Sequence, residues 1–292
     1  MLQRVITILF DFVLSLVHLY TVPQLIGFAL TSSAVIFISL RRGDIQRFFR
    51  RAFRTDLAYS AWFPVYTVLI GIPLSLRLAG FVTHYAPFLR IGVFSNLPAW
   101  ANIPLFFIAN DFVLYWLHRS LHQSRWLWAV HKIHHSQQEL NSLTTWRVHW
   151  LEFVYLNIGA FTVGLFLGNM KLLHPVVIGL LAASQFAQHS DIEWTYGPVG
   201  RVIVSPRFHA RHHSAAPEDI NVNFGSLLII WDHLFGTARK TPGRPLAYGL
   251  VAAQDNVPPS FLRQQFYPFL YLWRSALRSC RAKFNQRYAP KA

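Results

Sequence analysis

Cysteine is almost missing from this chain: Cys280 is the only one among 292 residues. A single thiol excludes an internal disulfide, a cysteine-based zinc site and a cysteine-ligated iron–sulfur cluster. Charge is scarce too, at 13% of residues, where soluble domains average roughly a quarter. Acids are the scarcer sign, 12 against 27 lysines and arginines. No Gly-x-Gly-x-x-Gly run offers a seat for a flavin or nicotinamide nucleotide. No separate polar segment is long enough for a haem domain. The chain therefore shows no electron carrier of its own.

Apolar residues fill the gap, at 53%, with 16% aromatics. They fall in long blocks rather than at amphipathic spacing, as lipid-facing segments do. The runs are Val5–Tyr20, Leu25–Leu40, Ala61–Leu78, Ala99–Leu117, Trp150–Leu167 and Leu172–Phe186. The first two are each slightly shorter than the ~20 residues that span a bilayer core. They read as a retained hairpin, because no small-residue cleavage site follows Tyr20. The last two read as another hairpin, turning at Gly168-Asn169-Met170-Lys171.

The net charge of +15 sits beside these runs. Arg41, Arg42, Arg47, Arg50, Arg51 and Arg54 follow one, and Arg274 to Arg287 follow the last apolar stretch. Basic clusters flanking apolar spans mark the cytoplasmic side and favour anionic headgroups. No base-stacking or groove-reading motif accompanies them, so no nucleic-acid partner is expected. With Arg41–Arg54 in the cytoplasm, the third run leaves and the fourth returns, delivering His118 to that face. The last hairpin brings His189 back to the same face. Phe261 to Tyr288, mixing aromatics with arginine, reads as an interfacial amphipathic helix.

Fourteen histidines are present, most of them grouped. The groups are His118 with His122, then His131, His134 and His135, then His209, His212 and His213. Helical spacings of three and four put side chains on one face, so each group can aim its imidazoles at one point. Buried together without metal, eight imidazoles would leave donors and acceptors unpaired at considerable cost. A catalytic zinc keeps about three protein ligands, so this many nitrogens point to two ions. Imidazole suits iron, copper, zinc and nickel alike and does not select among them.

The histidine groups, with Asp111, Tyr115-Trp116, Asn141-x-x-Thr144 and Arg147-x-His149-x-x-Glu152, resemble the fatty acid hydroxylase and sterol desaturase superfamily of membrane di-iron enzymes. Asn223-Phe224-Gly225 and Trp231-Asp232-His233-Leu234-Phe235-Gly236-Thr237 belong to the same resemblance. It covers a little under half the chain, from about Asp111 to Thr237. It implies two irons that use dioxygen to attack an unactivated C–H bond of a membrane lipid, a sterol, fatty acyl chain or relative. Carried over, the metal ligands are His118, His122, His131, His134, His135, His209, His212 and His213. His189 is a further candidate at the helix end before the last group, where this chain also has Gln185 and Gln188.

Four residues are candidates for supporting roles. Asp111 lies two helical turns before His118, and an ionisable residue inside a span is a functional suspect. It either orients a ligand imidazole or makes an interhelix hydrogen bond. His149 and Glu152 support the metal or meet the substrate, or else form an interfacial ion pair with Arg147. Asp232, with His233, orients a ligand or stabilises a turn. His18, His84 and His174 are isolated and read as structural, and Asp11 as an interhelix contact.

The expectation is an all-α integral membrane protein of about six membrane-embedded helices with a cytoplasmic histidine-rich di-metal cap. Residues 1–98 would supply membrane helices and a basic loop, 99–240 the catalytic domain and 241–292 a basic amphipathic tail. The activity would be oxygen-dependent hydroxylation or desaturation of a lipid, fed by a separate electron-donor protein. That donor would dock on basic surface around Arg119, Arg125, Lys132 and the carboxy-terminal arginines. A zinc-type hydrolase is one rival, although no glutamate stands within a histidine group to act as base. A non-enzymatic metal-binding or transport protein is the other, although no second polar pathway runs through the helices.

Overall fold

The computed structural model describes residues 51–93, 96–167, 175–240, 243–251 and 256–288, together with the single positions Ile26, Ser33 and Phe37. The first predicted hairpin, most of the 41–54 arginine cluster, the turn at 168–171, Asp11, His18 and His174 lie outside the described residues.

Helix α1 (Arg51–Tyr66) runs through a π-turn at Thr67–Gly71 into α2 (Ile72–Tyr85). Gly71 is needed there, because a Cβ would sit 3.0 Å from the Phe153 ring. Helix α3 (Ala99–Gln123) carries the first histidine pair, and α4 (Arg125–His135) follows after one residue, Ser124, whose hydroxyl caps it. A 3₁₀ turn at Ser142–Trp146 leads to α5 (Trp150–Leu167) and α6 (Pro175–His189). The short helices α7 (Pro206–His212) and α8 (Ile230–Leu234) complete the histidine region, and α9 (Phe261–Tyr288) closes the fold. Among the described residues there are no strands, only isolated bridges at Ile203–Leu228 and Ser214–Tyr248.

Among the described residues, two stretches are long and apolar enough to cross a bilayer, Ala52–Tyr85 and Trp150–Leu167. Helix α3 falls short because Asn102, Asn110 and Asp111 interrupt its apolar run, and α6 is only 15 residues long. Large apolar side chains nevertheless face outward on α2, α3 and α5, among them Leu76, Phe81, Trp100, Ile108, Phe112 and Ile158. A surface of that kind is costly in water and suits lipid.

The core lies where α1, α4, the 3₁₀ turn and α6 meet, around Tyr59, Ile133, Leu143, Trp146 and Phe186, with Phe261 of α9 packed against it. Its polar centre is Asp56, a fully buried carboxylate on α1. Asp56 accepts from Gln137 Nε2, from Asn141 Nδ2 (2.8 Å), from Thr144 Oγ1 (3.1 Å) and from the Arg147 guanidinium. Asn141 and Thr144 also close a capping box on the 3₁₀ turn. Arg147 thus pairs with Asp56 and not with His149 or Glu152.

Helix α9 does more than lie on a surface. Gln265 accepts from Tyr66 Oη (2.9 Å) and donates to Tyr59 Oη (3.1 Å), so the helix is latched onto α1. Its Tyr271 ring covers the Nζ of Lys132 at 3.4 Å, and Lys132 is fully buried. Lys132 therefore drops out of the expected docking surface. Farther along, Phe266, Phe269, Leu270, Trp273 and Leu277 are exposed.

The Asp56–Arg147 pair yields a stability prediction. Asp56→Ala strands a buried guanidinium, which costs roughly 3–5 kcal/mol. The purified variant should melt well below wild type in detergent, whereas Asp56→Leu with Arg147→Met should recover most of the loss. Equal melting of Asp56→Ala and wild type would show that the hub carries no stability.

Candidate metal centre

The histidines converge from four separate segments. Helix α3 supplies His118 and His122, α4 supplies His131, His134 and His135, and the end of α6 supplies His189. Helix α7 and the residue after it supply His209, His212 and His213. They fall into two groups whose ligand atoms lie within 4.8 Å of one another: His118, His122, His131, His135 and His212, and His134, His189, His209 and His213. The groups adjoin, with the His135 and His213 rings 4.5 Å apart and those of His131 and His134 5.3 Å apart.

Hydrogen bonds to backbone carbonyls set which nitrogen of three rings faces inward. His118 Nδ1 donates to Phe224 O (3.0 Å), His212 Nδ1 to Val222 O (2.8 Å) and His189 Nδ1 to Gln185 O (2.8 Å). A carbonyl can only accept, so each of these rings carries its proton on Nδ1 and turns the Nε2 lone pair inward. His131 Nδ1 reaches Glu152 Oε1 at 2.7 Å, and its Nε2 faces His135 Nε2 at 3.2 Å. His189 Nε2 lies 3.1 Å from both His134 Nε2 and His209 Nε2. His122 Nε2 and His212 Nε2 are buried with no hydrogen-bond partner.

These spacings fit metal. At a metal–nitrogen distance of about 2.1 Å, neighbouring ligand atoms lie about 3.0 Å apart in an octahedral shell and about 3.4 Å apart in a tetrahedral one. Burial pushes the His212 imidazole down to about 3. His134, His135, His209 and His213 are also held well below their ordinary value, by burial first and by neighbouring imidazoles second. Neutral imidazoles are the ligand form, so each group can hold a metal ion.

The supporting residues take four different places. Glu152 holds His131, and its Oε2 is buried without a hydrogen-bond partner. Asp232 accepts from Phe224 N and Gly225 N (both 2.8 Å) and from Thr237 Oγ1 (2.7 Å), fixing the backbone whose Phe224 carbonyl receives His118. Gly225 is required by that loop, since a Cβ would lie 2.6 Å from Leu228 O. Asp111 touches no imidazole. It accepts from Leu227 N (2.9 Å), Leu228 N (3.0 Å) and Trp231 Nε1 (2.9 Å), tying α3 to the segment before α8. His149 lies away from both groups, with Nε2 donating to Gln265 O (3.1 Å) and Nδ1 accepting from Leu151 N (3.2 Å). It pins the start of α5 to α9. His233 and His84 are exposed.

Asp56 escaped the sequence reading, although the Asn141, Thr144 and Arg147 motif it binds was noticed. An isolated aspartate after an arginine cluster carries no spacing signal. The presence of three buried donors without an acceptor in their own segment was the available hint.

Comparison with known proteins supports the same site. Residues 103–237 match the family model described as fatty acid hydroxylase. The match covers a little under half of the chain. Ornithine lipid hydroxylase OlsE of Rhizobium tropici is 31% identical over 171 residues, covering 58% of this chain and 50% of that protein. Alkylglycerol monooxygenase of Homo sapiens is 28% identical over 199 residues, 64% of this chain and 44% of the relative. The enzyme of the same name in Caenorhabditis elegans is 32% identical over 172 residues, 58% of this chain and 32% of the relative. The chain spans half or less of the length of these relatives. No solved structure matches it significantly. All nine candidate ligands and all four supporting residues lie inside the matched segment.

Metal should also hold the fold together. A ligand bound only by the native state adds about 2.7 kcal/mol at a hundredfold excess over its Kd. Stripping the protein with a strong chelator should lower its melting temperature by several degrees, and returning metal should restore it. A melt unaffected by chelation would remove the metal from the site.

Proposed function

We propose that the protein is an oxygen-dependent di-iron hydroxylase of a membrane lipid, with residues 99–240 as its catalytic segment. The observation that carries this reading is the division of nine imidazoles into two adjoining groups of five and four. Two groups suit two ions, and the match to the fatty acid hydroxylase model, with relatives named as lipid hydroxylases and monooxygenases, supports iron as the metal. Ornithine lipids and alkylglycerols, named in those relatives, are both lipids with polar ends. A membrane lipid, whether acyl, alkyl or sterol, is the substrate class for this chain.

Iron bound there would supply the activation of dioxygen that places one oxygen atom in a C–H bond and reduces the other to water, consuming two electrons and two protons. The chain's own part is positional. His118, His122, His131, His135 and His212 would hold one ion, and His134, His189, His209 and His213 the other. Phe224 and Glu152 fix the inward nitrogens of His118 and His131. The Phe224 and Trp128 rings, 5.1 and 5.0 Å from His122, keep that end of the site apolar.

The two long apolar helices, the outward apolar faces of α2, α3 and α5, and the exposed aromatics of α9 support a multi-pass membrane protein. Flanking arginines favour placing the histidine side in the cytoplasm. Electrons would come from a separate carrier protein, since the sequence offers no seat for a flavin, haem or iron–sulfur group. Exposed Arg125 and the arginines of α9 would attract an acidic carrier.

Protein expressed in iron-replete medium should carry about two irons per chain. Reconstituted in lipid with dioxygen, NAD(P)H, a carrier and its reductase, it should form a hydroxylated lipid, and His135→Ala should abolish that product. A single zinc that does not respond to iron supply would end the oxygenase reading. Full turnover without any carrier would remove the partner protein.

Orientation has a built-in probe. Cys280 is exposed and is the only thiol. A membrane-impermeant maleimide should label it only after cells are permeabilised. Labelling in intact cells would reverse the proposed topology.

A further inference from the structure

Helix α7 has two populated faces. His209 and His212 turn toward the metal groups, while Arg207 and Arg211 line a separate cavity of about 310 Å³. Arg201, Arg239 and Lys240 complete its charge, and none of its lining side chains is acidic. The buried carboxylate of Asp219 lies behind this wall. It pairs with Arg211 and Arg239, each at 3.0 Å, and so aims two guanidiniums. The opposite wall is a tight turn at Thr195–Arg201. A Cβ on Gly200 would lie 1.8 Å from Thr195 O, so the turn closes this far only with glycine there. The pocket is thus built, concave and strongly positive.

We propose that this cavity binds a phosphate group. Guanidinium forks match phosphate oxygens in pairs, and a site with several of them selects a compact, multiply charged anion over a dispersed one. The turn that forms the wall also exposes Val199, with Trp194 and Val202 at its two ends. An apolar rim beside arginines is the arrangement found at bilayer interfaces, which favours a phosphate carried on a lipid over a free one. This site is separate from the histidine groups, and its test does not depend on metal or turnover.

The test uses the whole protein in phosphatidylcholine nanodiscs with or without a minor fraction of phosphatidic acid, reading retained lipid by native mass spectrometry. A parallel arm adds inorganic phosphate and reads the melting temperature. Wild type should retain phosphatidic acid in preference to phosphatidylcholine, and Arg201→Gln with Lys240→Gln should weaken that preference roughly tenfold. Arg54→Gln with Arg125→Gln removes the same charge from other exposed positions and should keep it. The charge-preserving Arg201→Lys with Lys240→Arg should keep most of it, which separates lost charge from a misfolded pocket. Protection of wild type, but not of the pocket variant, by inorganic phosphate would assign a soluble phosphate compound, and protection by phosphatidic acid alone would assign a headgroup. Equal retention and melting in wild type and pocket variant, or equal loss in the Arg54 and Arg125 control, would overturn the site.

Discussion

Lone pairs of several imidazoles directed at one small volume repel each other, and holding them there governs much of this structure. The inward Nε2 atoms stand 3.1–3.2 Å apart along two chains of rings, His131 to His135 and His134 through His189 to His209. Hydrogen bonds that lock some of the rings from behind oppose this repulsion, and a cation in front would relieve it. The locks are backbone carbonyls for His118, His189 and His212, and a carboxylate for His131. Burial favours the neutral form of His134, His135, His209, His212 and His213, so the constraint and the ligand chemistry agree.

The scarce acids are spent on this task. Asp56 binds the turn between α4 and α5, Asp232 shapes the loop whose carbonyl holds His118, and Asp111 ties that region to α3. Asp219 steadies Arg211 on the far side of α7. Each buried carboxylate is matched by several donors, which is what makes its burial tolerable. The acids of the interior position backbone and cations, and among the described residues only Glu152 touches an imidazole of the two groups.

That division explains where sequence reasoning succeeded. Histidine spacing on a helix is a local property, so the groups at His118, at His131 and at His209 were legible at once. The motif around Asn141, Thr144 and Arg147 was visible too, but its partner Asp56 lies 85 residues or more from Asn141 and from Arg147. Asp111 shares a helix face with His118, which suggested an imidazole partner; the peptide N–H groups of Leu227 and Leu228 won instead. His149 and Glu152, three residues apart on one helical turn, part company because His149 caps the start of α5 and meets α9. Lys132 looked like surface charge until Tyr271 of α9 was found above it.

The sequence by itself determined the helical character, the apolar surface and the histidine groups that can serve as ligands. Composition and short-range spacing suffice for these, because they depend on residues within a few turns of one another. Only the tertiary structure decided how nine imidazoles divide between two groups, which nitrogen of each ring faces inward, and which acids hold them. It alone gathered five cations from α7 and the segments on either side of it into one cavity. Those features depend on contacts between segments far apart in the chain, where a side chain's partner is chosen by packing and by the nearest unsatisfied donor or acceptor.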